Sequence, residues 1–234
     1  RISSIVRKCR RARTRISALE DLVGYRVVVR DIEAQKSLCG ALATWPNVAR
    51  IRDYTSTPRT DGYRAVHTIL EYPLVDGSAG RIEVQVRTIW QHVWANTSEG
   101  FGLAVKEGGG PAPVRDYLSA LSVSAASLDA SGKVPRGWTS RLSGERGRPY
   151  LATFDLRRRL VRNVSPFESM ESALEALLIR ERSDLLDAVL LIAESAETIR
   201  VTHIGLFPRE LVRVLAQVGP GLTAEQTREL LLPA

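Results

Sequence analysis

Between Arg81 and Thr88 apolar and polar side chains alternate without a break: Ile82, Val84 and Val86 against Glu83, Gln85 and Arg87. A period of two marks a strand with unlike faces, one packed and one polar. A second strand is predicted over 22–30, rich in Val and closed by Asp31, with Val27 and Val29 facing one way and Arg26 and Val28 the other. A helix over 33–44 stops before Pro46, and a short strand spans 48–54. The loop over 55–62 holds Pro58 and the turn pair Asp61-Gly62. Strands over 64–72 and 81–88 flank a Gly-Ser turn, so they are expected to pair antiparallel. Helices over 89–98 and 114–126 follow.

The stretch 131–149 is rich in Gly, Pro, Ser and Arg and reads as a linker between a domain at 1–130 and a smaller one at 150–234. The second part predicts a strand over 150–156, a helix over 169–180, a buried apolar strand over 188–193, a helix over 194–202 and two short helical pieces. At the other end, Ile2, Ile5, Val6 and Cys9 give residues 1–15 one apolar helical face. The rest of that helix carries Arg1, Arg7, Lys8, Arg10, Arg11, Arg13 and Arg15, with no acidic residue. Arg1 opens the chain without Met, so further residues upstream are expected.

With 44% hydrophobic and 25% charged residues the chain is a globular protein, not a disordered tail. No apolar run approaches the roughly 20 residues of a membrane span, and the expected location is cytoplasmic. Cys9 and Cys39 lack metal-ligand spacing and are expected to be reduced structural thiols. The net charge is +7 and the pI near 9.8. The positive charge is nearly all Arg, whose planar fork suits phosphate.

Glu83, Gln85 and Arg87 in one row admit two readings: a solvated strand face, or a site for metal and phosphate. Asp21, at the start of the 22–30 strand, is either a turn residue or a second carboxylate. Magnesium takes one or two carboxylates and completes its shell with water and substrate phosphate. Residues 50–67 concentrate donors: Arg50, Arg52, Arg59 and Arg64, with His67, Tyr54 and Tyr63. Tyr63 beside Gly62 is either a packed strand residue or an unshielded ring on which a base could stack. His67 alone, on a face with Ala65 and Ile69, reads as a satisfied core histidine.

Four motifs in order carry a resemblance: Asp21-Leu-Val-Gly-Tyr-Arg26, Arg52-Asp-Tyr54, Pro58-Arg-Thr-Asp-Gly-Tyr63-Arg-Ala-Val-His67 and Glu83-Val-Gln-Val-Arg-Thr88. Over about residues 1–128 the chain resembles the synthetase domain of the RelA/SpoT homologue family, the alarmone synthetases. The resemblance implies an α+β fold, a mixed β-sheet flanked by helices and similar to nucleotidyltransferases, with the C-terminal part as a small α/β accessory domain. It implies transfer of the β,γ-pyrophosphate of ATP to the ribose 3′-hydroxyl of GTP or GDP, giving (p)ppGpp and AMP. Asp21 and Glu83 would be the catalytic pair holding Mg2+, with Glu83 also activating the acceptor hydroxyl. Lys8, Arg26, Arg50 and Arg52 fall on the ATP side. Tyr63 would stack on the acceptor base, with Arg59, Asp61, His67, Gln85 and Arg87 also on the acceptor side.

The family often has Asn at position 61 and Lys at 59, so the acceptor base stays open. The alternatives are a toxic synthetase acting on the tRNA 3′ end or on adenosine nucleotides, and an inactive nucleotide sensor. Expected partners are ATP and a guanosine nucleotide. A tRNA, a second copy of the chain and an antitoxin or trigger protein stand as alternatives, and no membrane is expected.

Overall fold

The computed structural model describes residues 6, 9–10, 13, 16, 19–20, 22–75, 77–102, 105, 109–135, 147–155, 160–180 and 186–231. Strand β1 (Val23–Val29) leads into helix α1 (Ile32–Ala43), then β2 (Val48–Asp53), β3 (Val66–Pro73) and β4 (Ala79–Thr88). These strands form one mixed sheet in the order β1-β4-β3-β2. β1 lies parallel to β4, while β2, β3 and β4 run antiparallel in succession. The expected antiparallel pairing of the third and fourth strands is therefore present. The parallel pair had no local signal, because it is made by a long crossover rather than a turn.

Asp31 starts α1 by accepting the Ala34 backbone N–H at 2.9 Å. Leu38, Cys39 and Leu42 of α1 then cover one sheet face, packing on Val27, Val29, Leu70, Val84 and Val86. Burial raises the Cys39 thiol to about 11, which suits an unreactive packing residue.

Behind the other face stand α2 (Ile89–Gly100) and α3 (Ala112–Ala130). Thr88 begins α2 with a capping box: its side chain accepts the Gln91 N–H, and the Gln91 side chain accepts the Thr88 N–H. Trp90, Val93 and Trp94 pack with Leu118, Leu121 and Val28 in the largest apolar cluster.

The second sheet is antiparallel, in the order β6-β5-β7: β5 (Arg148–Asp155), β6 (Leu160–Pro166) and β7 (Leu186–Ala193). Strand β6 was not foreseen. Its polar residues and the irregular pairing at Thr153/Phe154 blur the alternation. Helix α4 (Met170–Arg180) packs on this sheet, and α5 (Ala196–Thr202) follows β7. A 3₁₀ turn (Ile204–Leu206), α6 (Pro208–Leu215) and α7 (Ala224–Leu231) complete the described chain. Val201, Ile204, Leu211, Val214, Leu215 and Leu230 enter the same cluster as Trp90 and Trp94. The C-terminal helices thus share a core with α2 and α3.

Candidate active site

Strand register assembles the site. On the face away from α1, Arg26, Gln85, His67 and Arg52 stand level across β1, β4, β3 and β2. One step along, Gly24, Glu83, Ile69 and Arg50 form the next line. Residues far apart in sequence therefore share one polar surface because the pleat sends alternate side chains to the same side.

That surface is not a solvated face. Glu83 is 9% exposed and Arg87 4%. A closed ring of hydrogen bonds joins five side chains. Arg87 Nη2 donates to the Tyr63 hydroxyl at 2.9 Å and to Gln85 Oε1 at 2.8 Å. The Tyr63 hydroxyl lies 2.7 Å from His67 Nε2, and His67 Nδ1 lies 2.7 Å from Glu83 Oε1. Gln85 Nε2 donates to Glu83 Oε2 at 2.6 Å, closing the circuit.

The charges follow from burial and these bonds. Burial is the largest influence on Glu83 and acts to raise its carboxyl. Hydrogen bonds from His67 and Gln85 and the Arg87 charge outweigh it and hold the group below its ordinary value. Burial raises the Tyr63 phenol against the pull of Arg87. Burial, then the Arg87 charge, lowers Arg26. Burial and the two guanidinium charges push His92 well down, and burial with Arg26 lowers His203 to about 4. Beneath the site both imidazoles are therefore neutral.

Of the two readings open for Tyr63, its surroundings are those of a packed residue. Its ring meets Tyr54, His67 and Trp94 edge-on at 5.7–6.0 Å, and the Arg87 guanidinium lies 5.3 Å from its centroid. Gly62 sets its entry: with φ +90 the backbone is in the left-handed region, and an added Cβ would meet Ser122 Cβ at 3.0 Å. Ser122 Oγ donates to the Gly62 carbonyl at 2.7 Å. Asp61 accepts the Tyr63 N–H at 3.0 Å and lies 3.6 Å from Arg59 Nε, so its carboxylate already closes the turn.

Glu20 is a site residue that the sequence motifs do not single out. It pairs with both Arg50 and Arg52, the latter at 3.1 Å. The only signal was its place beside Asp21, ahead of a strand facing two Arg residues. Asp21 and Lys8 lie outside the described residues. Among the described residues no group of three or more His, Cys, Asp or Glu could hold a metal. Glu83 nonetheless suits one carboxylate position of a magnesium site: each oxygen accepts one hydrogen bond and keeps a further lone pair.

Residues 1–105 match the family described as the region found in RelA / SpoT proteins. Over these 105 of its 234 residues the chain is similar to the RelA/SpoT family. Similar proteins include the GTP pyrophosphokinase YjbM of Bacillus subtilis, 29% identical over 145 residues that make 58% of this chain and 68% of that protein. The GTP pyrophosphokinase rsh of Brucella abortus is 36% identical over 87 residues, which cover 36% of this chain but 11% of that protein. A similar fold is seen in the crystal structure of small alarmone synthetase 1 from Bacillus subtilis bound to its product pppGpp. That structure matches with a TM-score of 0.50 at 28% identity, over 56% of this chain and 71% of that one. The mixed sheet flanked by helices is the fold expected from the motifs. Among the described residues no helix is long and apolar enough to cross a membrane.

Proposed function

We propose that this chain transfers the β,γ-pyrophosphate of ATP to the ribose 3′-hydroxyl of GTP or GDP, releasing AMP. The observation that carries the reading is Glu83: a buried, ionised carboxylate held from two sides on a sheet face that also presents Arg26, Arg50 and Arg52. The similar proteins named as GTP pyrophosphokinases support the reaction class, and the relative bound to pppGpp supports a guanosine acceptor.

Phosphoryl transfer asks chiefly for positioning and charge neutralisation. Arg50 and Arg52 exchange Glu20 for the ATP phosphates, and Arg26 adds charge from the neighbouring strand. Glu83 orients the acceptor hydroxyl and takes its proton through a lone pair that His67 and Gln85 leave open. Asp21 and Glu83 would hold magnesium, which when bound neutralises phosphate charge and lowers the basicity demanded of Glu83.

Incubation with γ-labelled ATP and GDP, GTP, ADP or bulk tRNA tests the proposal. Label is expected on the guanosine nucleotides. Glu83→Gln should lower turnover at least about 1,000-fold, since it removes both the base and a metal ligand. Cys39→Ala should leave turnover intact. Label on ADP or tRNA alone would replace the acceptor, and no label on any of them would sink the reading.

A further inference from the structure

The Arg87 guanidinium does not face open solvent. Its Nε and Nη1 are sealed from solvent without partners, and the two hydrogens of Nη2 serve Tyr63 and Gln85. This arrangement leaves little for a substrate phosphate to grip, although the sequence motif puts Arg87 on the acceptor side.

Hydrogen-bond direction follows from elementary valence. Arg only donates, so the Tyr63 oxygen accepts from Arg87 and its single hydrogen must go elsewhere. His67 Nε2, 2.7 Å away, is the acceptor within reach. When Nε2 accepts, the ring proton sits on Nδ1, which donates to Glu83 Oε1. On the second arm the Gln85 carbonyl accepts from Arg87, and its amide donates to Glu83 Oε2. Both arms therefore run from one guanidinium nitrogen to one carboxylate, every link pointing the same way. Hydrogen bonds aligned in this manner polarise one another in a poorly solvated setting.

Resting on the pyrophosphotransfer reading, we propose that Arg87 and the Tyr63 hydroxyl are positioning groups that aim Glu83, through His67 on one side and Gln85 on the other. Tyr63 then contributes its hydroxyl to the relay, while its ring packs against Tyr54, His67 and Trp94.

Three variants and one spectrum test this in the full chain. Tyr63→Phe keeps the ring and cuts one arm. It should lower kcat about tenfold, the worth of one hydrogen bond, with KM for the acceptor nearly unchanged. Arg87→Met cuts both arms and removes the charge. Here kcat should fall about 100-fold, again with KM for the acceptor nearly unchanged. Arg87→Lys should not restore kcat, because an ammonium lacks the flat amino group that feeds both arms. In ¹⁵N spectra of histidine-labelled protein, His67 should carry its proton on Nδ1, and its Nε2 signal should shift in Tyr63→Phe.

A raised KM with kcat retained in Arg87→Met would make Arg87 a substrate contact and overturn the proposal. So would wild-type turnover in Tyr63→Phe. If the wild-type chain transfers label to no acceptor, the function reading fails, and the spectrum still decides the relay. An Nε2-protonated His67, or one indifferent to Tyr63→Phe, would refute it.

Discussion

Placing a carboxylate at 9% exposure exacts a desolvation cost that only direct donors and nearby cations offset, and Glu83 has both. Its ionised form survives because His67 and Gln85 each donate to a different oxygen. The sign follows directly. A carboxyl whose folded value is depressed stabilises the fold above its unfolded value, and that stabilisation is lost as pH falls through the folded one. Acidification thus removes the ionised carboxylate that the proposed reaction needs and one contribution to stability together. Glu20 is a contrasting case. Its bonds to Arg50 and Arg52 are partly exposed, with side chains 24–48% accessible, and such pairs contribute about 0.2–1 kcal/mol. Phosphate arriving at those guanidinium groups must displace it. Glu20→Gln should therefore lower KM for ATP about threefold with kcat unchanged, within the span that this energy range allows. Initial rates against ATP concentration would decide it, and a raised KM would mean that Glu20 instead holds the two forks ready for their ligand.

Among the elements, those with local periodicity were legible in the sequence. The alternation at 81–88 defines β4, and the end of α1 before Pro46 follows from backbone sterics. The Glu83–Gln85–Arg87 row was visible as a row, but its burial was not. A polar face says nothing about what stands over it, and here Tyr63 and His67 fold across it from β3 and the turn before it. Two features had no sequence signature of their own. The parallel β1–β4 pairing depends on a crossover, and β6 hides in Arg, Asn and Ser. Thr88 shows how closely strand and helix are joined. It ends β4, caps α2 and donates from Oγ1 to Asp129 Oδ2 at 2.7 Å. Thr88→Ala should cost about 2 kcal/mol, because the cap is lost and a buried carboxyl oxygen loses its hydrogen-bond partner. Urea unfolding measures this through the midpoint at constant slope. A change under about 0.5 kcal/mol would show that Gln91 alone suffices to start the helix.

In the molecule as a whole, the C-terminal helices bring buried titratable groups beneath the site, and these govern how stability responds to pH. Asn96 Oδ1 of α2 accepts the Gly205 N–H at 3.0 Å, fixing the segment that carries His203. The unfolded His203 titrates near 6.5 and the folded one near 4, so unfolding takes up a proton between those values and stability falls as pH drops through them. His92, fully buried and also lowered, acts in the same sense. Asp129 acts in the opposite sense. Burial raises its carboxyl from 3.8 to about 7, so the folded form holds a proton that the unfolded chain releases, and stability falls as pH rises over that interval. Between about pH 7 and pH 5 the His203 contribution amounts to a loss of roughly 2 kcal/mol, and Asp129 returns a similar amount. Two histidines against one carboxyl leave a net loss on acidification. The variants separate the opposed contributions. Asp129→Asn keeps an acceptor for Thr88 while abolishing the titration, so it should gain stability at pH 7 and lose it more steeply toward pH 5 than the wild type. His203→Gln should flatten the same profile. Urea midpoints across this range provide the measurement. Parallel profiles for wild type and Asp129→Asn would mean that Asp129 is ionised in the folded chain, and its proton would then have no part in the balance.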